Sequence, residues 1–554
     1  MRARLLAALK HLVGLSIVFA PLAGFILAGS LYASLWLDEV LYWYFEQSPP
    51  LRALQMGRPG SAIAPYFGNY FYSDIQRGVH WFLRAAGFTV QDDPELYLRF
   101  LSLFSFIALA VLTYVLTFRQ SRSWSWGVAA ALTVSASPLL LFYAFEARVS
   151  SFAALGVALY LVLLGNALHQ PRAKRFWIAG ALLGIFLGHL HLWVVCLYAG
   201  LCLAAFIRSF ATRQWLELAP IAAFTIPGAI TAVAEAAFIT YTSPPGGQPF
   251  PLYTARSLLF LQERTIAGLF STGSALPDVL SPPWFVPSLP IIALITALLL
   301  LFFDLRRSPE IVFPAAAVLS LWISVEVGSR VGFLIAPRYQ VPLFAALFFS
   351  LRLAPRPSAR LLVAFTAALD LVLLPNAIAD VAAKGNGKEI AALIDSETPR
   401  ERTAVVVQHG LTLGYPDPLH NFVLQFYLDD IRPESAPVRI FEMPSLRDIT
   451  GLQGVRDYFG GGAELLQQYA STPAAHWKEW LSRAPFDRVW LVTPVPAMKP
   501  EHVQAMAFRA ALGMSGFTAA GQPSYGFDGY PPTFVSLFVR RDPHDPTRAN
   551  PAHQ

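Results

Sequence analysis

The chain reads as a multi-spanning α-helical membrane protein that ends in a smaller α/β domain. Three observations carry that reading. Of 554 residues, 55% are hydrophobic and only 14% charged, with a mean hydropathy of +0.48. Soluble chains run near a quarter charged, so an ordinary soluble enzyme is excluded. Apolar runs of spanning length recur through the first 380 residues. The acids are also unevenly shared: 17 of 35 fall in residues 1–380 and 18 in residues 381–554. A hydrophobic, basic membrane domain (1–380) is thus followed by a polar, near-neutral one (381–554).

The apolar runs lie at about 12–34, 99–118, 127–142, 149–168, 176–190, 192–207, 216–240, 285–303, 311–328, 340–351 and 361–379, eleven in all. A span needs about 20 residues, so the runs at 176–190, 192–207 and 340–351 are short for crossing. The positive-inside rule tests the count. With a cytoplasmic N-terminus, the inside segments total 50 residues and carry 15 Lys/Arg, against 9 in the 127 outside residues. Every inside loop is basic, so the odd count is preferred and the tail is expected on the extracytoplasmic face of a cell membrane. The +6 net charge arises in the membrane part, with 25 Lys/Arg against 17 acids. It reads as membrane orientation and gives no sign of a nucleic-acid partner. The first run has a basic start (Arg2, Arg4, Lys10) but is long for a signal peptide, and an uncleaved anchor is expected.

Two outside loops are long. Segment 36–97 holds aromatic, amphipathic stretches such as Val79–Phe88, suited to the membrane interface. Segment 241–284 carries Pro244-Pro245-Gly246-Gly247 at one end and Pro282-Pro283 at the other, as an ordered loop or lid does. In the tail, strands are expected at Thr403–Gln408, Val438–Phe441, Arg488–Val492 and Thr533–Val539, with a helix at Glu501–Met514. Cys196 and Cys202 stand six residues apart in one apolar run, roughly 9 Å of helical rise, too far for a disulfide.

Four polar signals interrupt the apolar pattern. Asp38 and Glu39 directly follow the first run; they are either an ordinary polar helix end or a used carboxylate pair. Glu146 and Arg148 sit in Tyr143-Ala144-Phe145-Glu146-Ala147-Arg148, where an ion pair closing a turn is the plainest alternative. His189-Leu190-His191 occupies the next outside turn; two histidines two apart make a poor helical metal pair. Pro337-Arg338-Tyr339 opens the tenth run. All four fall at the predicted outer ends of spans. Glu235 and Glu326 fall in outer halves, whereas Asp370 is near mid-span and best fits a proton relay or transport.

The segments LWLDEV, ELYLRFLSLFSF at 95–106, SPLLLFYAFEARVSSFAAL at 137–155 and PRYQVPL at 337–343 together resemble the GT-C superfamily of membrane glycosyltransferases. The likeness is to the protein O-mannosyltransferase and aminoarabinose-transferase branch and its bacterial relatives, over roughly residues 10–350. It implies a GT-C-like membrane domain and a polyprenyl-phosphate sugar donor. The sugar would pass with inversion to an extracytoplasmic acceptor: lipid, polysaccharide or protein. By the same resemblance Asp38 would be the general base, supported by Glu39. Glu146 and Arg148 would match the acid and base of the second turn, and Arg338 a basic residue that holds the leaving phosphate. Lysine is nearly absent from the membrane part (Lys10, Lys174), so a phosphate clamp must use other groups. Candidates are Arg148, Arg338, Tyr339, His191, Arg58 and Arg99. No metal ligand set is read; some relatives use a divalent cation and others do not. The His-Pro-Pro stretch common after the acidic pair has no counterpart near Gly68–Trp81. A transporter or flippase of envelope glycolipids is the rival, and it would depend on Asp370.

Overall fold

A computed structural model describes residues 2–32, 39–40, 43, 67–213, 215, 218–242, 312–331, 337–351, 357–382, 387–397, 399–408, 421–432, 435–443, 474–483, 486–493, 503–520, 525–527 and 533–540. These form two compact units. One comprises residues 1–31, 42–89 and 96–382; the other comprises 383–554 together with 32–41 and 90–95.

The first unit is helical. Its elements are α1 (Arg2–Tyr32), α2 (Phe67–Ala85), α3 (Pro94–Ser121), α4 (Trp124–Ser135), α5 (Pro138–Ala144) and α6 (Val149–His169). They continue with α7 (Lys174–Leu190), α8 (Val194–Thr212), α9 (Leu218–Thr242), α10 (Val312–Val331), α11 (Pro337–Leu351) and α12 (Pro357–Ala382). Five helices are long and apolar enough to cross a membrane: Ala8–Leu27 within α1, α3, α6, α8 and Leu218–Ala237 within α9. The pair α4 and α5 makes a sixth if the two are one span. Shorter apolar stretches occupy Val312–Ser324, Gln340–Ser350 and Thr366–Pro375. The expected span at 285–303 lies outside the described residues.

The run at 127–142, expected as one span, is instead broken. Helices α4 and α5 meet at a 62° bend. Pro138 supplies the reason. It has no N–H to donate to the carbonyl of Val134, and its ring clashes with the preceding turn. Ser137 caps the new helix, its Oγ accepting from the Leu140 N–H at 3.5 Å.

Small residues let helices approach closely, since apolar side chains gain little by leaving lipid. A Cβ on Gly188 of α7 would stand 2.5 Å from the Gly228 carbonyl oxygen of α9. A Cβ on Gly200 of α8 would stand equally close, 2.5 Å, to the Ala316 oxygen of α10. Helix α2 is amphipathic and longer than the Val79–Phe88 stretch expected. Tyr72, Gln76, His80 and Leu83 are buried on one face, while Trp81 and Phe82 are exposed. Polar groups hold the buried face: Gln76 Nε2 donates to the Leu98 oxygen at 2.9 Å, and His80 Nε2 to the Tyr97 oxygen at 3.0 Å.

The second unit is built on a six-stranded mixed sheet. Its strands are β1 (Thr403–Gln408), β2 (Arg439–Met443), β3 (Arg488–Thr493), β4 (Phe517–Ala519), β5 (Tyr525–Phe527) and β6 (Thr533–Arg540), in the order β2-β1-β3-β6-β4, with β5 also on β6. β1 is parallel to β2 and β3, and β6 is antiparallel to β3. The four strands expected from sequence are present, because runs such as Thr403-Ala404-Val405-Val406-Val407 are β-branched and buried. Leu481, Phe486, Phe508, Leu512, Phe517 and Phe538 pack one face of the sheet. Within this unit Glu95 is buried and accepts from Tyr427 Oη at 2.8 Å, with Lys388 Nζ 3.3 Å away.

The close helix contacts are testable. Gly188→Ala drives a methyl group into backbone and should cost about 1–3 kcal/mol. Gly78→Ala in α2 meets nothing within 4 Å and should be neutral or slightly stabilising. Thermal unfolding of the two purified variants in detergent separates them.

Candidate functional site

The break at Ser137-Pro138 sets up the most polar feature of the membrane unit. Helix α5 is only seven residues long and wholly buried. It ends at Phe145, whose N–H reaches the Leu141 and Phe142 oxygens at 3.2 Å. The next backbone turn is tight, the Arg148 N–H donating to the Glu146 oxygen at 2.7 Å. Arg148 is extended (φ −127°, ψ 160°) and opens α6. Both side chains are buried, Glu146 at 1% exposure and Arg148 at 9%, and Arg148 Nε stands 3.2 Å from Glu146 Oε2.

The turn is braced from three helices. Ser102 of α3 donates to the Arg148 carbonyl at 2.9 Å. That uses its only proton, so Tyr72 of α2 donates to Ser102 Oγ, at 3.0 Å. Ser151 of α6 donates to the Tyr143 carbonyl at 3.1 Å. Beside them, the fully buried Arg99 places its guanidinium 5.6 Å from the centre of the Phe145 ring, a cation–π contact. Phe25 of α1 also packs against the Phe145 ring, at 5.8 Å between centroids.

His191 lies at the same end of the bundle. Helices α6 and α7 are antiparallel here: Phe152 meets Phe186 at 6.1 Å, and Gly156 and Gly184 lie against Leu187 and Tyr160. The C-terminal end of α7 is therefore beside the start of α6. His191 is buried at the cap of α7, and burial pulls its imidazole down from 6.5 to about 4. With that shift it is neutral at pH 7 and can donate a hydrogen bond without bringing a charge. His189, one turn-step away, is half-exposed; its Nδ1 meets Oε2 of the buried Glu235 on α9 at 3.4 Å.

The start of α11 also comes to this end. Phe313, near the start of α10, lies against Gly165 near the far end of α6. Helix α10 thus runs back toward Arg148, and Gln340 of α11 donates to Ser324 of α10 at 2.7 Å. The helix turn that carries Arg338 and Tyr339 accordingly sits at the Arg148 end; their side chains lie outside the described residues. Asp38 and Arg58 also lie outside them. Glu39 is fully buried and belongs to the second unit. Sequence reading named Glu235 and His189 separately and missed their pairing, because no spacing links residues on α7 and α9. It also passed over Ser102, Tyr72 and Ser151, which carry no chemistry of their own. Among the described residues no group of three or more His, Cys, Asp and Glu is placed to hold a metal ion.

Fold and site together define a helical membrane protein with a buried acid–arginine pair at one end of its bundle and a separate α/β unit. No protein-family model matches the chain, and no curated protein matches it. Among solved structures, ArnT from Cupriavidus metallidurans, crystallised in the apo state, is similar over 97% of this chain and 98% of its own. The identity is 14% and the TM-score 0.38, so the likeness assigns no residue a role.

Two outcomes follow from the geometry. Glu146→Gln leaves the Arg148 charge without its 3.2 Å partner and should cost about 3–5 kcal/mol in unfolding, while the double change Glu146→Leu with Arg148→Met should recover most of it. His191 is lowered in the folded state, so the unfolded chain binds more protons below pH 6.5. Stability should therefore be full above about pH 6.5 and fall as pH drops toward 4, by up to about 3 kcal/mol. His191→Gln should remove that part of the slope in pH-dependent melting.

Proposed function

We propose that the protein is an integral membrane glycosyltransferase of the GT-C type. It transfers a sugar from a polyprenyl-phosphate donor to an extracytoplasmic acceptor, with inversion. The observation that carries this reading is the buried, braced Glu146–Arg148 turn, in the sequence setting that resembles that superfamily. Arg suits phosphate because its planar fork stays charged and gives bidentate contacts. Arg338, on a helix turn at the same bundle end, is the second cation, with Tyr339 and neutral His191 as hydrogen-bond donors.

In this reading Asp38 removes the proton from the acceptor hydroxyl, with Glu39 supporting it. The acceptor oxygen then attacks the anomeric carbon from the face opposite the phosphate. The carbon–oxygen bond to the lipid phosphate breaks, and the electron pair leaves on the phosphate, where Arg148 and Arg338 stabilise it. Glu146 holds the Arg148 guanidinium in place before substrate arrives. The N-terminus is cytoplasmic, and residues 381–554 form an extracytoplasmic domain.

The test is transfer of labelled sugar from a polyprenyl-phosphate donor by the purified full-length protein, with acceptors extracted from the native envelope. Asp38→Asn should lower the rate by about 10²–10⁴-fold with little change in donor binding. Arg148→Lys should weaken donor use by at least about tenfold, since one fork becomes a point charge. An Asp38→Asn protein as fast as the wild type would remove Asp38 as the base. Loss of function in Asp370→Asn alone, with Asp38→Asn active, would favour transport instead.

A further inference from the structure

Asp370 has no part in the reaction above. It lies on α12, is fully buried, and neither carboxylate oxygen has a hydrogen-bond partner. A carboxylate so placed among apolar helices is costly unless something neutralises it. Its surroundings follow from the register of α12 on α4. The Arg360 guanidinium lies 5.7 Å from the centre of the Trp126 ring, and Val363 packs with Trp126 and Ala130. The two helices therefore run in the same direction along this contact. Seven residues beyond Val363, a rise of roughly 10 Å, Asp370 comes level with residues 135–138. That is where α4 gives way to α5, and α12 packs on both helices.

The break offers oxygen atoms at the same level. Pro138 has no N–H, so the Val134 carbonyl lacks its helical donor. Ser135 Oγ is fully buried and has no hydrogen-bond partner. The positive end of the break is already served, because Ser137 caps α5. What remains is the negative C-terminal end of α4, a hydroxyl and a carboxylate. A protonated Asp370 would donate to an acceptor about 3 Å away, and neither of its oxygens has one. A metal ion, by contrast, bridges oxygens standing up to roughly 5 Å apart, through bonds of about 2.4 Å.

We propose that Asp370, Ser135 and the carbonyl end of α4 bind a small monovalent cation of the sodium type at the α4–α5 break. Interrupted membrane helices use unwound carbonyls and half-helix C-terminal ends in this way. One charge balances one carboxylate. A divalent ion asks for more acids, and among the described residues no metal-holding cluster of acids exists. The ion ties α12 to the break and so fixes the direction of α5, which leads straight into the Glu146–Arg148 turn. That consequence for catalysis rests on the proposed reaction; the binding itself does not.

The experiment is therefore free of sugar transfer. Thermal unfolding of the purified full-length protein in detergent is followed in sodium chloride and in N-methyl-D-glucamine chloride at equal ionic strength. Sodium should raise Tm in a saturable way, as a ligand that binds only the folded state does. Ser135→Ala should raise the sodium concentration for half-effect by about tenfold, and Asp370→Asn should abolish the response. Gly78→Ala should keep it. Identical melting of the wild type in the two salts overturns the proposal, and so does a sodium response that persists in both site variants. If Asp370→Asn does not fold, Ser135→Ala decides alone, and an unchanged half-effect concentration overturns the site. A wild type indifferent to sodium but losing stability above neutral pH also overturns it, in favour of a protonated carboxyl.

Discussion

One missing N–H shapes the membrane unit. Pro138 cannot donate to the turn before it, so a run of apolar residues long enough to be one straight span becomes two helices at 62°. The second of them, α5, is a buried seven-residue wedge that ends in the tight turn at Glu146–Arg148. A straight helix would carry these residues onward along its own axis and would leave no turn for Ser102 and Ser151 to brace. The same loss takes from the Val134 carbonyl its helical donor, near the level assigned to Asp370. The phosphate-binding reading and the cation-binding reading thus both trace to one residue in the middle of a span.

Buried charge in an apolar bundle has to be accounted for group by group. Glu146 and Arg148 compensate each other, Arg99 lies against the Phe145 ring, and Glu235 meets His189. Such pairs are seldom the cheapest way to fill a core, since well-packed apolar residues of similar size often do as well or better. Their grouping at one end of the helices is what separates them from scattered structural pairs. The α/β unit makes the contrast clear. Its Asp395–Arg400 pair is bidentate, at 2.8 and 2.9 Å, and Arg400 also donates to the Leu428 oxygen at 2.7 Å. That node joins neighbouring segments of one small fold.

What could be read from the sequence divides along physical lines. Strands β1, β3 and β6 were legible because burial and β-branched residues coincide in short runs. Helices α6, α8 and α9 were legible because hydropathy integrates over a whole span. The break in 127–142 was not, since hydropathy is blind to a lost hydrogen bond; Ser137-Pro138 was the signal available. Glu146 and Arg148 were legible as a pair because they are two residues apart. Glu235 and His189, 46 residues apart, could be joined only by the packing of α7 on α9. Asp38, outside the described residues, is a candidate on sequence grounds alone, from its place after the first apolar run.

The bracing of the turn bears on how the proposed phosphate site would work. Arg148 is held twice: its side chain by Glu146, and its backbone carbonyl by the Tyr72–Ser102 relay. The second hold fixes where the side chain begins, and the first fixes where it points. A guanidinium positioned in this way does not have to reorganise as negative charge develops on a departing phosphate, and that is where preorganised electrostatics exceeds what a flexible surface cation provides. A lysine would keep the backbone hold but would bring Glu146 a point charge on a flexible stem, so its direction would be less fixed.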